Sequence, residues 1–273
     1  MKIMEYASIT KLTSDNVFLV DGTNGTKKII TSDALLSMLD LISPKNKRLI
    51  FRGKNLGASF TSEQKSAVQS GTFEGLCLGD YWVINGVNWR IVDFDYWYKK
   101  GTPNFSTHHL VIMPDTSLIT DQMNASATTT GGYTGSTMYT ANMAPAKSEV
   151  TSAFGDAVLT YKDYLINTVA NGYPSAGSFV DASIELPNEP MIYGSYIYTP
   201  ANNGSTDVKR YTIGTSQLAL FQVAPEFITA GIGYWLRDVA SATQFCRVDS
   251  SGAAQASNAS VSTVGVRPVF PIG

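Results

Sequence analysis

The sequence predicts a mixed α+β fold, and three observations carry that reading. Asp80-Tyr81-Trp82-Val83-Ile84 and Val87-Asn88-Trp89-Arg90-Ile91-Val92 flank Asn85-Gly86, a dipeptide suited to a type I′ hairpin turn. Thr61-Ser62-Glu63-Gln64 has the form of a capping box and opens a helix that Gly71 closes. From Tyr234 to Phe270, short strand-like runs alternate with Ser/Gly turns. A chain of 273 residues has room for one large domain plus a small module.

The small module comes first. Val17-Phe18-Leu19-Val20 and Thr26-Lys27-Lys28-Ile29-Ile30 surround a Gly/Asn turn and predict a hairpin. Thr31 or Ser32 caps a following helix over Asp33 to Leu41, in which Leu35, Leu36, Leu39 and Ile42 recur at helical spacing, and Pro44 ends it. A unit of about forty residues buries too little apolar surface to stand alone, so residues 1–44 are expected to dock on copies of themselves or on a larger assembly. The stretch Ser43 to Arg48 is polar and contains Pro44, which places the boundary there and assigns 45–273 to the main domain.

Within that domain, His109-Leu110-Val111-Ile112-Met113 is almost wholly apolar and predicts a central strand. Thr116 to Ala144 is rich in Thr, Gly, Ser and Met without clear period, and is expected to form long surface loops. Helices are expected over Lys147 to Phe154, stopped by Gly155, and over Tyr161 to Ala170, stopped by Asn171-Gly172 with Pro174 beyond. Glu185-Leu186-Pro187-Asn188-Glu189 then leads into Met191-Ile192-Tyr193-Gly194.

Charge and composition narrow the function. A net charge of -2 and the lack of any Lys/Arg run argue against nucleic acid and anionic membrane as partners. The apolar stretches are too short to span a bilayer, and Met1-Lys2-Ile3-Met4-Glu5-Tyr6 lacks the apolar run of a secretory signal, so synthesis in a cytoplasm is expected. Cys77 and Cys246 are far apart in sequence and are expected to be buried or half-buried free thiols, a disulfide between them being the alternative. His108 and His109 are adjacent, so in an extended segment one points inward and the other outward, and they share neither a metal nor a catalytic site. No Gly-x-Ser-x-Gly elbow accompanies them. The 23 glycines and 14 tyrosines, with dense Ser, Thr and Asn after position 115, suit an adaptable binding surface, and equally a loop-rich β protein.

Tyr234-Trp235-Leu236-Arg237-Asp238 and Gly265-Val266-Arg267-Pro268-Val269-Phe270 resemble the strand signatures of the C-type-lectin-like fold in its formylglycine-generating-enzyme branch, which is common in phage proteins. Leu186-Pro187-Asn188-Glu189 and the Trp82/Trp89 hairpin are weaker marks of the same resemblance, which spans roughly Gly53 to Gly273. The segment from Asn16 to Ile29 is similar to the openings of phage tail and fibre proteins, where such a module faces the virion. Between the two C-terminal motifs, Ala242, Phe245, Val248, Gly252, Ala254 and Ala259 look like a fixed frame. The positions between them are Thr243, Gln244, Cys246, Arg247, Asp249, Ser250, Ser251, Gln255, Ser257, Asn258, Ser260, Ser262 and Thr263. This arrangement resembles the variable region of proteins diversified by retroelements, whose ligand-contacting residues occupy such positions. Polar exteriors of ordinary strands and loops give the same pattern.

The resemblance implies no calcium site, because Glu185-Leu186-Pro187-Asn188 and Trp235-Leu236-Arg237 both depart from the calcium-binding motifs, and the acidic residues are scattered. It implies no copper-dependent oxidation either, because Cys246 has no nearby cysteine. Arg237, Asp238 and Arg267 are expected to be structural anchors or an ion pair. The four tryptophans are expected mainly in the core, with Tyr96, Trp97 and Tyr98 the best candidates for an exposed stacking platform. The expectation is therefore an α+β, C-type-lectin-like phage tail or fibre protein, located in the virion, that binds a host-surface protein or glycan. It needs no cofactor, attaches to other virion proteins through residues 1–44, and forms a homotrimer. The rival expectations are a formylglycine-generating-type oxidase and a head or tail decoration protein that binds nothing.

Overall fold

The computed structural model describes residues 17–22, 25–30, 48–200 and 216–273. The chain divides into two compact units, 1–43 and 44–273. In the first, β1 (Val17–Gly22) pairs antiparallel with β2 (Gly25–Ile30) in the register Val17↔Ile30 to Gly22↔Gly25. The helix expected over Asp33 to Leu41 lies outside the described residues.

The second unit is a mixed α+β structure, mostly β. Helix α1 (Ser62–Gln69) starts at the capping box: the Thr61 hydroxyl accepts from Gln64 N, and the Gln64 side chain accepts from Thr61 N. Strands β3 (Tyr81–Ile84) and β4 (Val87–Phe94) form the expected hairpin, with positive φ at Asn85 (54°) and Gly86 (78°), as a type I′ turn requires. Strand β5 (Leu110–Pro114) lies inside a four-stranded sheet, between β4 and the C-terminal β13 (Phe270–Ile272), and is buried along its whole length. Helix α2 (Ala144–Phe154) carries Phe154 onto the rings of Trp82, Trp89 and Phe270 at 6.1, 5.6 and 5.6 Å between centroids. The edge-to-face geometry of the two tryptophan contacts adds to the area they bury.

A second sheet of five strands has the order β11 (Ala254–Asn258), β10 (Gln244–Val248), β9 (Tyr234–Val239), β12 (Gly265–Val266), β6 (Ile119–Thr120). All its pairings are antiparallel except β9 with β12. Arg267 joins the two sheets to their connections. It is buried, and its guanidinium donates to the carbonyl oxygens of Pro114, Phe227 and Ile228 at 2.8, 3.1 and 3.1 Å.

Three expectations are corrected. Tyr161 to Ala170 is not a helix: it is β7 (Tyr161–Ala170), paired with β8 (Tyr173–Ala182). Asn171-Gly172, read as a helix stop, is the hairpin turn, with φ of 53° and 78°. A side chain at Gly172 would put its Cβ 2.9 Å from Ala242 N, so both conformation and space demand glycine there. Thr116 to Ala144 is irregular as expected, with a π-helical turn over Met138–Asn142, but it is not simply surface: Met123, Thr129, Tyr133, Ser136, Met138 and Met143 are buried. Tyr96 and Trp97 are no exposed platform. Both are buried, Trp97 stacking on His109, and only Tyr98 is half-exposed, against His108 at 4.4 Å. In each case distant partners supply burial that local composition does not reveal.

The histidines point apart, His109 buried and His108 half-exposed, and both bond to Asp95. His109 Nε2 accepts from Trp97 N, so its Nδ1–H donates to Thr107 O at 2.9 Å. Burial pushes the imidazole down to about 4 against the pull of Asp95. The folded state therefore holds His109 neutral while the unfolded chain takes a proton below about 6.5. Stability from this group is full above the unfolded value and is lost as pH falls towards 4, by on the order of 3 kcal/mol. Buried Asp93 and Glu185, both raised by desolvation, act in the opposite sense. The expected result is thus that the difference between wild type and His109→Gln in urea unfolding narrows steadily from pH 7 to pH 4. A constant difference would place an exposed imidazole there, and a widening one a charged imidazole.

Candidate functional site

The expected contact residues fall on one hairpin and the turn after it. Strands β10 and β11 pair in the register Gln244↔Asn258, Phe245↔Ser257, Cys246↔Ala256, Arg247↔Gln255 and Val248↔Ala254. Phe245, Val248 and Ala259 of the expected frame are buried, Gly252 and Ala254 half-buried. Ala242 is exposed, contrary to its expected place in the frame. It sits in the β9–β10 turn, which the buried Thr129 holds from outside: Thr129 N donates to Ala242 O at 3.0 Å and Thr129 Oγ1 to Ser241 O at 2.7 Å.

Of the thirteen expected contacts, Thr243, Ser250, Ser251, Ser262 and Thr263 are exposed, and Gln244, Arg247, Asp249, Gln255, Ser257, Asn258 and Ser260 are half-buried. Cys246 is a correction. It is buried, its Sγ is 3.4 Å from Thr199 Oγ1, and desolvation and then the nearby Asp238 push its thiol well up. Neither ligand contact nor thiolate chemistry suits it. Both cysteines are free and buried.

Two turns present four of the five exposed positions, Thr243 being on the β9–β10 turn, and each of the two is pinned by a side chain from the expected contact set. Asp249 Oδ1 accepts from Ser251 N, Ser251 Oγ and Ala253 N at 2.8, 2.7 and 3.0 Å, which fixes the tip from 249 to 253 and holds the carboxyl below the usual range. Asn258 Oδ1 accepts from Ser260 N and Ser260 Oγ at 3.1 and 2.9 Å at the end of β11. From the other side, Tyr193 Oη donates to Gly252 O at 3.0 Å. Asp249, Ser251, Asn258 and Ser260 thus shape the surface as much as they compose it.

Beneath the hairpin lies a buried polar network. One residue of β10, Cys246, stands between the pairs Phe245↔Val239 and Arg247↔Trp235, opposite three residues of β9. This bulge turns Arg237 N away to Pro187 O (2.9 Å), and it aims Arg237 at Asp163 of β7 (2.7 Å) and Asp238 at the backbone N–H of Glu189 (2.5 Å). Glu189 begins the short helix α3 (Glu189–Tyr193), capped by Asn188 Oδ1 accepting from Met191 N. Its own carboxylate, fully buried, accepts the backbone N–H groups of Ile197, Tyr198 and Thr199 at 3.1, 2.8 and 3.0 Å. That anchor presents Ile197 and Tyr198 outward at 52% and 44% exposure. Thr129, Glu189, Ile197 and Tyr198 were not among the expected site residues. For Glu189 a signal existed in Asn188-Glu189-Pro190, a helix cap followed by an early proline.

Among the described residues, no group of three or more His, Cys, Asp or Glu is placed to hold a metal ion, and no helix is long and apolar enough to cross a membrane. Compared with protein families, with curated proteins and with solved structures, the chain matches none.

Proposed function

We propose that this protein is a binding protein of a phage tail or fibre, with a C-type-lectin-like second unit that engages a host-surface macromolecule through the β10–β11 hairpin and the turn that follows. Residues 1–44 attach it to the particle and bring three copies together; a hairpin of the size of β1–β2 is too small to be stable without partners. One observation carries the reading: buried Phe245, Val248 and Ala259 hold a frame from which Ser250, Ser262 and Thr263 project on turns held by Asp249 and Asn258, and Thr243 on the β9–β10 turn held by Thr129. On such a frame, side chains that meet a ligand can change without disturbing the core. The buried, protonated thiol of Cys246 favours binding over oxidase chemistry.

The test is a library randomised at Thr243, Ser250, Gln255, Ser262 and Thr263, scored first for folding and then for binding to whole bacterial cells. Most members are expected to melt close to wild type, each exposed change costing no more than about 0.5 kcal/mol. Asp249→Ala and Asn258→Ala are expected to lower the melting temperature more than any of these changes, because the backbone N–H groups that form each turn lose their acceptor. Different members should label different bacterial strains. A library that mostly unfolds, or whose members all label the same cells equally, would move the ligand site elsewhere.

A further inference from the structure

Six arginines lie among the described residues, and five of them have partners within the chain. Arg48, Arg52, Arg90 and Arg237 pair with Asp93, Asp80, Asp115 and Asp163, and Arg267 donates to three backbone carbonyls. Arg247 of β10 is the exception. Its Nε is buried without an acceptor, and the half-exposed side chain keeps its Nη groups open, with no hydrogen bond or ion pair among the described residues. Asp249, two residues on, does not take it up. The Oδ1 of that carboxylate is committed to the 249–253 turn, and the Ser251 hydroxyl, with Arg247 only last, keeps its carboxyl low.

The surroundings make room for this guanidinium and add donors to it. A Cβ on Gly233 would come 2.8 Å from Arg247 Nη1 and 2.7 Å from Val248 O, so the glycine leaves the space that the guanidinium occupies. Gln255 stands opposite Arg247 in the β10–β11 register, so the two side chains leave the same face with Cβ atoms about 5 Å apart, and Ser257 is the diagonal neighbour on that face. Both are half-buried, and neither side chain has a hydrogen-bond partner among the described residues. One face of the hairpin thus carries an unneutralised guanidinium, an amide and a hydroxyl, all with donors to spare.

We infer that Arg247, with Gln255 and Ser257 beside it, is an oxyanion site, and that the host-surface ligand of the hairpin carries a carboxylate or a phosphodiester at this point. The inference rests on the binding role proposed above for the hairpin. A guanidinium desolvated on one side and left without a counter-charge is costly, and a bound oxyanion offsets that cost through charge-assisted hydrogen bonds. Nε is out of reach, so the anion meets the Nη groups, and the Gln255 amide and Ser257 hydroxyl supply further donors. With the Asp249 carboxylate nearby and a net charge of -2 on the chain, the site suits one singly charged group and not a polyanionic surface at large.

Both sources of the charge are tested on the full chain with small probes. Sodium acetate and sodium dimethyl phosphate are titrated at constant ionic strength against protein isotope-labelled in its arginines, and the side-chain Nε–H signals are followed by NMR. The signal missing from Arg247→Lys, a variant expected to melt as wild type, identifies Arg247. That signal is expected to shift saturably with at least one probe while those of the five paired arginines do not, and Gln255→Ala should weaken the binding several-fold. The probe that saturates names the source. In whole-cell binding, Arg247→Gln is expected to lose at least about tenfold, the worth of one hydrogen bond to a charged group, with Arg247→Lys in between. An Arg247 signal that stays still, or drifts with those of the paired arginines, overturns the site whether or not the protein binds cells. Saturable probe binding with undiminished cell binding by Arg247→Gln overturns the assignment to the host ligand. If the probes saturate but the randomised hairpin leaves cell binding unchanged, the hairpin reading falls and the oxyanion site stands.

Discussion

Replacing Arg237 by Met is expected to cost about 3 to 5 kcal/mol, the usual penalty for leaving one member of a buried ion pair alone. Arg237 lies in β9 and Asp163 in β7, both almost inaccessible, with Nη1 and Oδ2 2.7 Å apart. Without the guanidinium, Asp163 keeps its own Tyr164 N–H at 2.8 Å and a long contact to the Tyr161 hydroxyl at 3.4 Å, too little for a dry carboxylate. Asp163→Asn together with Arg237→Met removes the stranded charge while keeping an acceptor for Tyr164. The double variant should therefore lose clearly less than the sum of the single losses. Urea unfolding of the four proteins measures this. A loss under about 1 kcal/mol for Arg237→Met, or strict additivity, would show that the pair is exposed or unformed.

Trp235→Ala is expected to cost a similar about 3 to 5 kcal/mol, by cavity formation. The indole is fully buried in β9, and its Nε1 donates to Asp121 O at 2.7 Å, which ties the start of the irregular Thr-rich stretch to the five-stranded sheet. Trp235→Phe keeps most of the volume and drops the donor to the carbonyl of half-buried Asp121, so it should cost clearly less, about 1 kcal/mol for the lost hydrogen bond. If Trp235→Ala melts within about a degree of wild type, the ring is not in the core and the orientation of β9 is wrong.

The network also bears on the proposed function. Asp238 and Glu189 connect β9 to the loop that presents Ile197 and Tyr198, and Tyr193 connects α3 to the tip of the β10–β11 hairpin. A surface that tolerates changed side chains needs such support below it, because loops held only by their own contacts would reorganise with each substitution.

Several parts of this architecture were legible in the chain itself because their causes are local. The capping box at Thr61 and Gln64, the Asn85-Gly86 turn and the apolar run of β5 each need only a few neighbouring residues. The burial of Trp235 and the free state of both cysteines were likewise legible. Tyr161 to Ala170 shows where this ends. Its buried positions alternate as Tyr161, Asp163 and Leu165, but an aspartate at an inward position hides the period of two, and Tyr161 with Leu165 mimics a helical face. Only Arg237, 74 residues away, makes Asp163 an inward residue. The bulge that turns Cys246 inward and the three amides gathered by Glu189 are decided in the same way. The sequence by itself determined the local turns, caps and apolar runs. Tertiary structure alone decided which polar groups are buried and which strands pair, because burial and pairing are properties of partners brought together from distant parts of the chain.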